Sequence, residues 1–81
     1  MKIVYSVFDV TNVNSDSSLN FLFSSANLIE NYDTAMNFCG LKPVVDNPKF
    51  IEVEDFFSGV FSGVFVIHGS ERVCQINKSV I

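Results

Sequence analysis

The sequence has no tryptophan, one histidine, two cysteines, two prolines and only five lysines and arginines in 81 residues. Each shortage excludes something. Five cations against nine carboxylates give a net charge of −4. Such a surface cannot replace the counterions of DNA or RNA, so direct nucleic-acid binding is not expected. One histidine and two scattered cysteines, with no C-x-x-C and no H-x-x-x-H, leave no ligand set at metal-binding spacing. No phosphate loop, dinucleotide fingerprint or G-x-S-x-G elbow occurs. The expectation is therefore a non-enzyme with no cofactor and no metal.

Long apolar runs are also missing. The longest uncharged apolar stretch, Phe56 to Ile67, is too short to span a bilayer and is interrupted by Gly and Ser. Its upstream flank is acidic, which argues against membrane insertion. Asp9 breaks the opening apolar run and no small-residue cleavage site follows, so no signal peptide is expected. Cys39 and Cys74 then read as a reduced cytosolic pair. A disulfide between them stays geometrically open, because both are expected to face the helix–sheet interface.

What is present suffices for one core. Residues 1–81 make one small domain, burying about 60% of the unfolded surface. Hydrophobic residues are 48% of the chain and charged ones 17%, the reverse of a disordered composition. Nine of the eleven aromatics are Phe, which fill a core without a polar handle to satisfy.

Lys2 to Val10 reads as a strand apolar on both faces, hence inside a sheet. Thr11 to Ser18 is turn-rich, and Leu19, Phe21 and Phe23 then alternate with Asn20, Leu22 and Ser24 as a second strand, in a hairpin with the first. Asn27-Leu28-Ile29-Glu30 has the form of a capping box. It opens a helix with Leu28, Ile29, Tyr32, Ala35, Met36 and Cys39 on one stripe and Gly40 at its end. Asn47-Pro48 marks a turn. Lys49 to Asp55 alternates as a third strand, Ile51 and Val53 inward, Glu52 and Glu54 outward. Gly59 to His68 is a fourth, containing the repeat Ser-Gly-Val-Phe twice. It is apolar on both faces, so it is central or one face meets a partner. Arg72 to Lys78 is the last strand. The sum is an α+β domain, β-β-α-β-β-β, with one helix on one face of a largely antiparallel sheet.

Carboxylates cluster at Glu52, Glu54 and Asp55, and Phe56 follows them. Acidic groups beside an exposed aromatic suit an interface with a basic partner. Tyr5, Glu52, Glu54, Asp55 and Phe56 are the expected partner-binding residues. The alternative is a structural or assembly module that homodimerises or adds a strand to a larger complex.

The opening, through Met1, Lys2, Tyr5, Val10, Asn12, Asn14 and Ser15, resembles small phage-encoded anti-CRISPR proteins that inhibit type I-F surveillance complexes. The end is similar too, in Gly63-Val64-Phe65-Val66-Ile67 and in Arg72-Val73-Cys74-Gln75-Ile76-Asn77-Lys78. The resemblance covers about half of the chain. It implies stoichiometric, non-catalytic inhibition in the cytoplasm of a bacterial host. The implied partner is a host protein or ribonucleoprotein complex with a basic surface, whose access to target DNA is blocked.

Overall fold

The computed structural model describes residues 1–11, 20–41 and 48–81. These form β1 (Ile3–Asp9), β2 (Asn20–Ser25), α1 (Leu28–Phe38), α2 (Pro48–Phe56), β3 (Gly63–His68) and β4 (Val73–Val80). The strands make one antiparallel sheet in the order β2-β1-β4-β3, so β1 and β4 are central and β2 and β3 are edges. The class is α+β, with four strands and two helices among the described residues.

Alternation sets the two sheet faces. Val7 pairs with Ile76 and Ile67 with Cys74, and all four are buried under the helices. Tyr32, Ala35 and Met36 of α1 and Phe50 and Val53 of α2 complete the same core. The other face carries Ser6, Phe8, Gln75, Asn77, Val64 and Val66 and has no helix over it among the described residues.

α1 begins as expected at Asn27. Its side-chain oxygen accepts from the amides of Ile29 (2.8 Å) and Glu30 (3.3 Å). The amide of Asn27 is met by the Ser25 hydroxyl at 3.1 Å rather than by Glu30, so the reciprocal half of the box comes from the preceding strand. The helix ends in a Schellman motif: Gly40 N donates to Asn37 O and Leu41 N to Met36 O, with Gly40 at φ 74°. The buried stripe is rotated slightly from the expected one. Asn31 is fully buried and Ile29 is exposed, because Asn31 donates to Ser25 Oγ and Asn27 O at the sheet edge.

Lys49 to Asp55 is not a strand. It lies in α2, which corrects the expected order to β-β-α-α-β-β. A short segment containing Phe50, Ile51, Val53 and Phe57 fits both periods, but only the helix buries Phe50, Val53 and Phe57 together. Pro48 stands at the first helical position, where its missing N–H costs nothing. Lys49 and Glu52 pair one turn apart at 3.4 Å. Ile51, expected inward, is exposed.

The expected alternation of Leu19, Phe21 and Phe23 also breaks. Val7 pairs with Phe23 but Phe8 with Phe21, so Leu22 is an extra residue in β2. This bulge leaves Phe23 against the core and turns Phe21 to the open face, edge-on to Phe8 at 5.9 Å. Leu19 and the turn-rich residues 12–18 lie outside the described residues, as does Asn47 of the expected turn.

Candidate interaction surface

β3 begins at Gly63 rather than Gly59, and it is an edge strand. Its two apolar faces are therefore not explained by a central position. Phe65 and Ile67 face the core, whereas Val64 and Val66 are exposed on the open side. The segment that feeds it is more exposed still: Phe61 is 74% accessible and Val60 is 59%. Gly59, at φ 92°, makes the reversal that folds Phe61 back towards it.

α2 lies alongside this edge. Phe56, half-exposed, packs edge-to-face on Phe57 at 5.2 Å and on Phe65 of β3 at 5.3 Å. Lys49 Nζ stands 5.8 Å from the Phe65 ring centroid. The helix and the strand edge thus share one aromatic seam, with Phe56 its outer member.

The carboxylates sit on the solvent side of α2. Glu52, Glu54 and Asp55 are all exposed. Among the described residues only Glu52 has an ion-pair partner, Lys49. Lys78, the nearby cation of β4, is buried and turned the other way. Its ammonium donates to the carbonyls of Phe57 and Gly59, where α2 ends. Among the described residues, then, no side chain pairs with the carboxylates of Glu54 and Asp55.

Of the five expected partner-binding residues, Glu52, Glu54, Asp55 and Phe56 fall together on α2. Tyr5 lies one layer below, on the helix-covered face of β1, edge-on to Phe57 at 5.7 Å. Partial burial raises its phenol pKa above 10.0. Val60 and Phe61, in the segment that joins α2 to β3, are exposed next to it without having been singled out in the sequence, and Val64 and Val66 of β3 are exposed on the opposite, open face. The signal for them was the repeated Ser-Gly-Val-Phe unit with apolar residues on both faces.

Residues with nucleophilic or ligating chemistry stand elsewhere. His68 is exposed at the end of β3, and Cys39 and Cys74 are buried between α1 and the sheet. Among the described residues no three His, Cys, Asp or Glu side chains approach closely enough to hold a metal ion. A groove of about 340 Å³ lies at the opposite end of the molecule, lined by Asp9, Thr11, Phe38, Glu71 and Arg72. Arg72 stacks on the Phe38 ring at 4.9 Å and donates to its carbonyl at 3.4 Å. No described helix is long and apolar enough to cross a membrane. The chain matches no family model, no curated protein and no solved structure.

Proposed function

We propose that the protein is a non-catalytic inhibitor that binds a basic surface of a host nucleic-acid-binding complex through α2 and the adjoining edge of β3. The observation that carries this reading is the seating of α2 against β3 through Phe56 and Phe65. Exposed Glu52, Glu54 and Asp55 on that helix and exposed Val60 and Phe61 in the segment that leads to β3 lie at a strand with no outer partner among the described residues. Carboxylates engage the lysines and arginines that otherwise hold phosphates, and the aromatic groups supply a desolvated anchor. A bound inhibitor of this kind keeps target DNA from the same cations. The anti-CRISPR resemblance adds the instance in which the complex is a guide-RNA surveillance complex in the bacterial cytoplasm.

β3 has no strand on its outer side among the described residues, which favours a second reading, in which the protein adds its own edge to a copy of itself or to a larger assembly. An uncharged, unbulged edge strand with exposed Val64 and Val66 is the kind that pairs with another chain.

The deciding experiment is a tagged pull-down from a bacterial lysate with active defence systems, at low and moderate salt, read by mass spectrometry and paired with the solution mass. Recovery of effector subunits that is lost in the Glu52→Lys/Glu54→Lys/Asp55→Lys variant supports the inhibitor. Recovery of the protein alone, with a dimer mass, overturns it in favour of self-assembly.

A further inference from the structure

Cys39 ends α1 and Cys74 lies in the central strand β4, 35 residues away in sequence. Their sulfurs are 3.1 Å apart, both residues are free thiols, and both are buried. Closing a disulfide needs a further approach of only about 1 Å. The reduced pair is weakly held: Cys39 Sγ donates to Ile67 O at 3.7 Å and Cys74 Sγ to Ala35 O at 3.5 Å. Loss of the second contact leaves Ala35 O paired, because the Cys39 amide also donates to it at 3.0 Å. Oxidation therefore orphans little.

We propose that Cys39 and Cys74 form a modification site, at which a low-molecular-weight disulfide converts the two thiols into an intramolecular cross-link between α1 and β4. The position of the residues fixes the order of events. Cys39 is the cap of a helix end, where the last turn opens most readily, whereas Cys74, near the start of β4, is held on a central strand between β1 and β3 and is fully buried. Burial, then the neighbouring Cys39 thiol, pushes the Cys74 pKa up, so Cys74 is not the first to react. The Cys39 thiolate attacks the reagent disulfide, giving a mixed disulfide and releasing one reagent thiolate. The Cys74 thiolate then attacks Cys39 Sγ and expels the second. The protons of both cysteines leave on the reagent thiols, so one reagent disulfide is reduced to two thiols while the protein pair is oxidised. Cys74 Sγ, 3.1 Å from Cys39 Sγ, reaches the mixed disulfide before a thiol of a second molecule, so the product is a monomer.

The test incubates the whole chain with oxidised glutathione below its unfolding temperature. The expected product is a monomer lighter by about 2 Da, carrying no glutathione. Its tryptic peptide 73–78 should be linked to the peptide that contains Cys39. Closing a loop of this length should raise Tm by about 10 °C, reversibly with dithiothreitol. In the Cys74→Ala variant the reaction should stop at a glutathione adduct on Cys39. Should that variant fail to fold, the wild-type peptide map still decides. Thiols that stay free, stable adducts on both cysteines, disulfide-linked dimers, or a cross-linked form with a lower Tm would each overturn the proposal.

Discussion

The ammonium of Lys78 donates to the carbonyl of Phe57, so the last strand of the sheet closes the C-terminal end of the second helix. α2 has no basic residue in its own last turn. The positive charge that complements its dipole comes instead from β4, and the Gly59 carbonyl accepts from the same ammonium at 2.6 Å. Lys78→Met keeps the buried stem but removes the donor from both carbonyls. The expected loss is about 2 kcal/mol of unfolding free energy, read by urea denaturation, because charge-assisted bonds from a buried ammonium are involved. An unchanged midpoint would show that water replaces the ammonium at no cost.

Gly69 sits in the turn between β3 and β4 for want of space. A Cβ there would collide with the Cys39 carbonyl oxygen and stand 2.8 Å from Cys39 Cβ and 3.0 Å from Arg72 O. Two of these are backbone oxygens, which cannot step aside as a flexible side chain can. Gly69→Ala should cost about 2 kcal/mol or more, seen as a lower Tm, by forcing the turn away from the end of α1.

Asn27 carries the start of α1. Asn27→Ala leaves the Ile29 and Glu30 amides without their acceptor and should cost about 1 kcal/mol. Asn27→Ser, which restores a side-chain acceptor, should recover most of it in the same thermal melt.

Asp9 gives the molecule an acid-sensitive point. Thr11, through its hydroxyl and then its amide at 2.9 Å, holds the Asp9 carboxyl below the ordinary 3.8, and Arg72 adds to the effect. With the folded value below the unfolded one, the stabilising contribution is complete above the unfolded pKa. It disappears as pH falls through the folded one. Stability should therefore drop on acidification below about pH 4, and Asp9→Asn should flatten that part of the curve. A carboxyl titration by NMR with its midpoint at or above 3.8 would contradict this.

Phe61 is the most accessible aromatic of the proposed surface. Phe61→Ser should change stability by less than about 0.5 kcal/mol, since little is buried to lose. It should nonetheless weaken recovery of the partner in the pull-down. Unaltered recovery would move the anchor elsewhere on the β3 edge.

How much of this was readable beforehand varies by element. The hairpin of β1 and β2, the helix from Asn27 to Gly40 and the terminal strand are each marked by local chemistry: β-branched runs, a cap, a left-handed glycine. Two features were not readable, for different reasons. Pro48 to Phe56 is short enough that a two-residue and a 3.6-residue period both fit its apolar positions. What decides is that Phe50, Val53 and Phe57 find one common core. The turning-out of Phe21 depends on a bulge opposite Val7 and Phe8, a property of two paired strands and not of either one.

The candidate surface divides in the same way. Residue types alone placed Glu52, Glu54, Asp55 and Phe56 near one another, since they are consecutive or nearly so. They could not show that β3 is an edge, that Phe56 lies on Phe65, or that Lys78 turns inward to the end of α2. Nor could they bring Cys39 and Cys74 to 3.1 Å. By itself the sequence determined an acidic, Phe-rich α+β domain, because composition and local periodicity act over a few residues. The tertiary structure decided strand order, which charges stay unpaired and which thiols meet, because those depend on contacts between segments far apart in the chain.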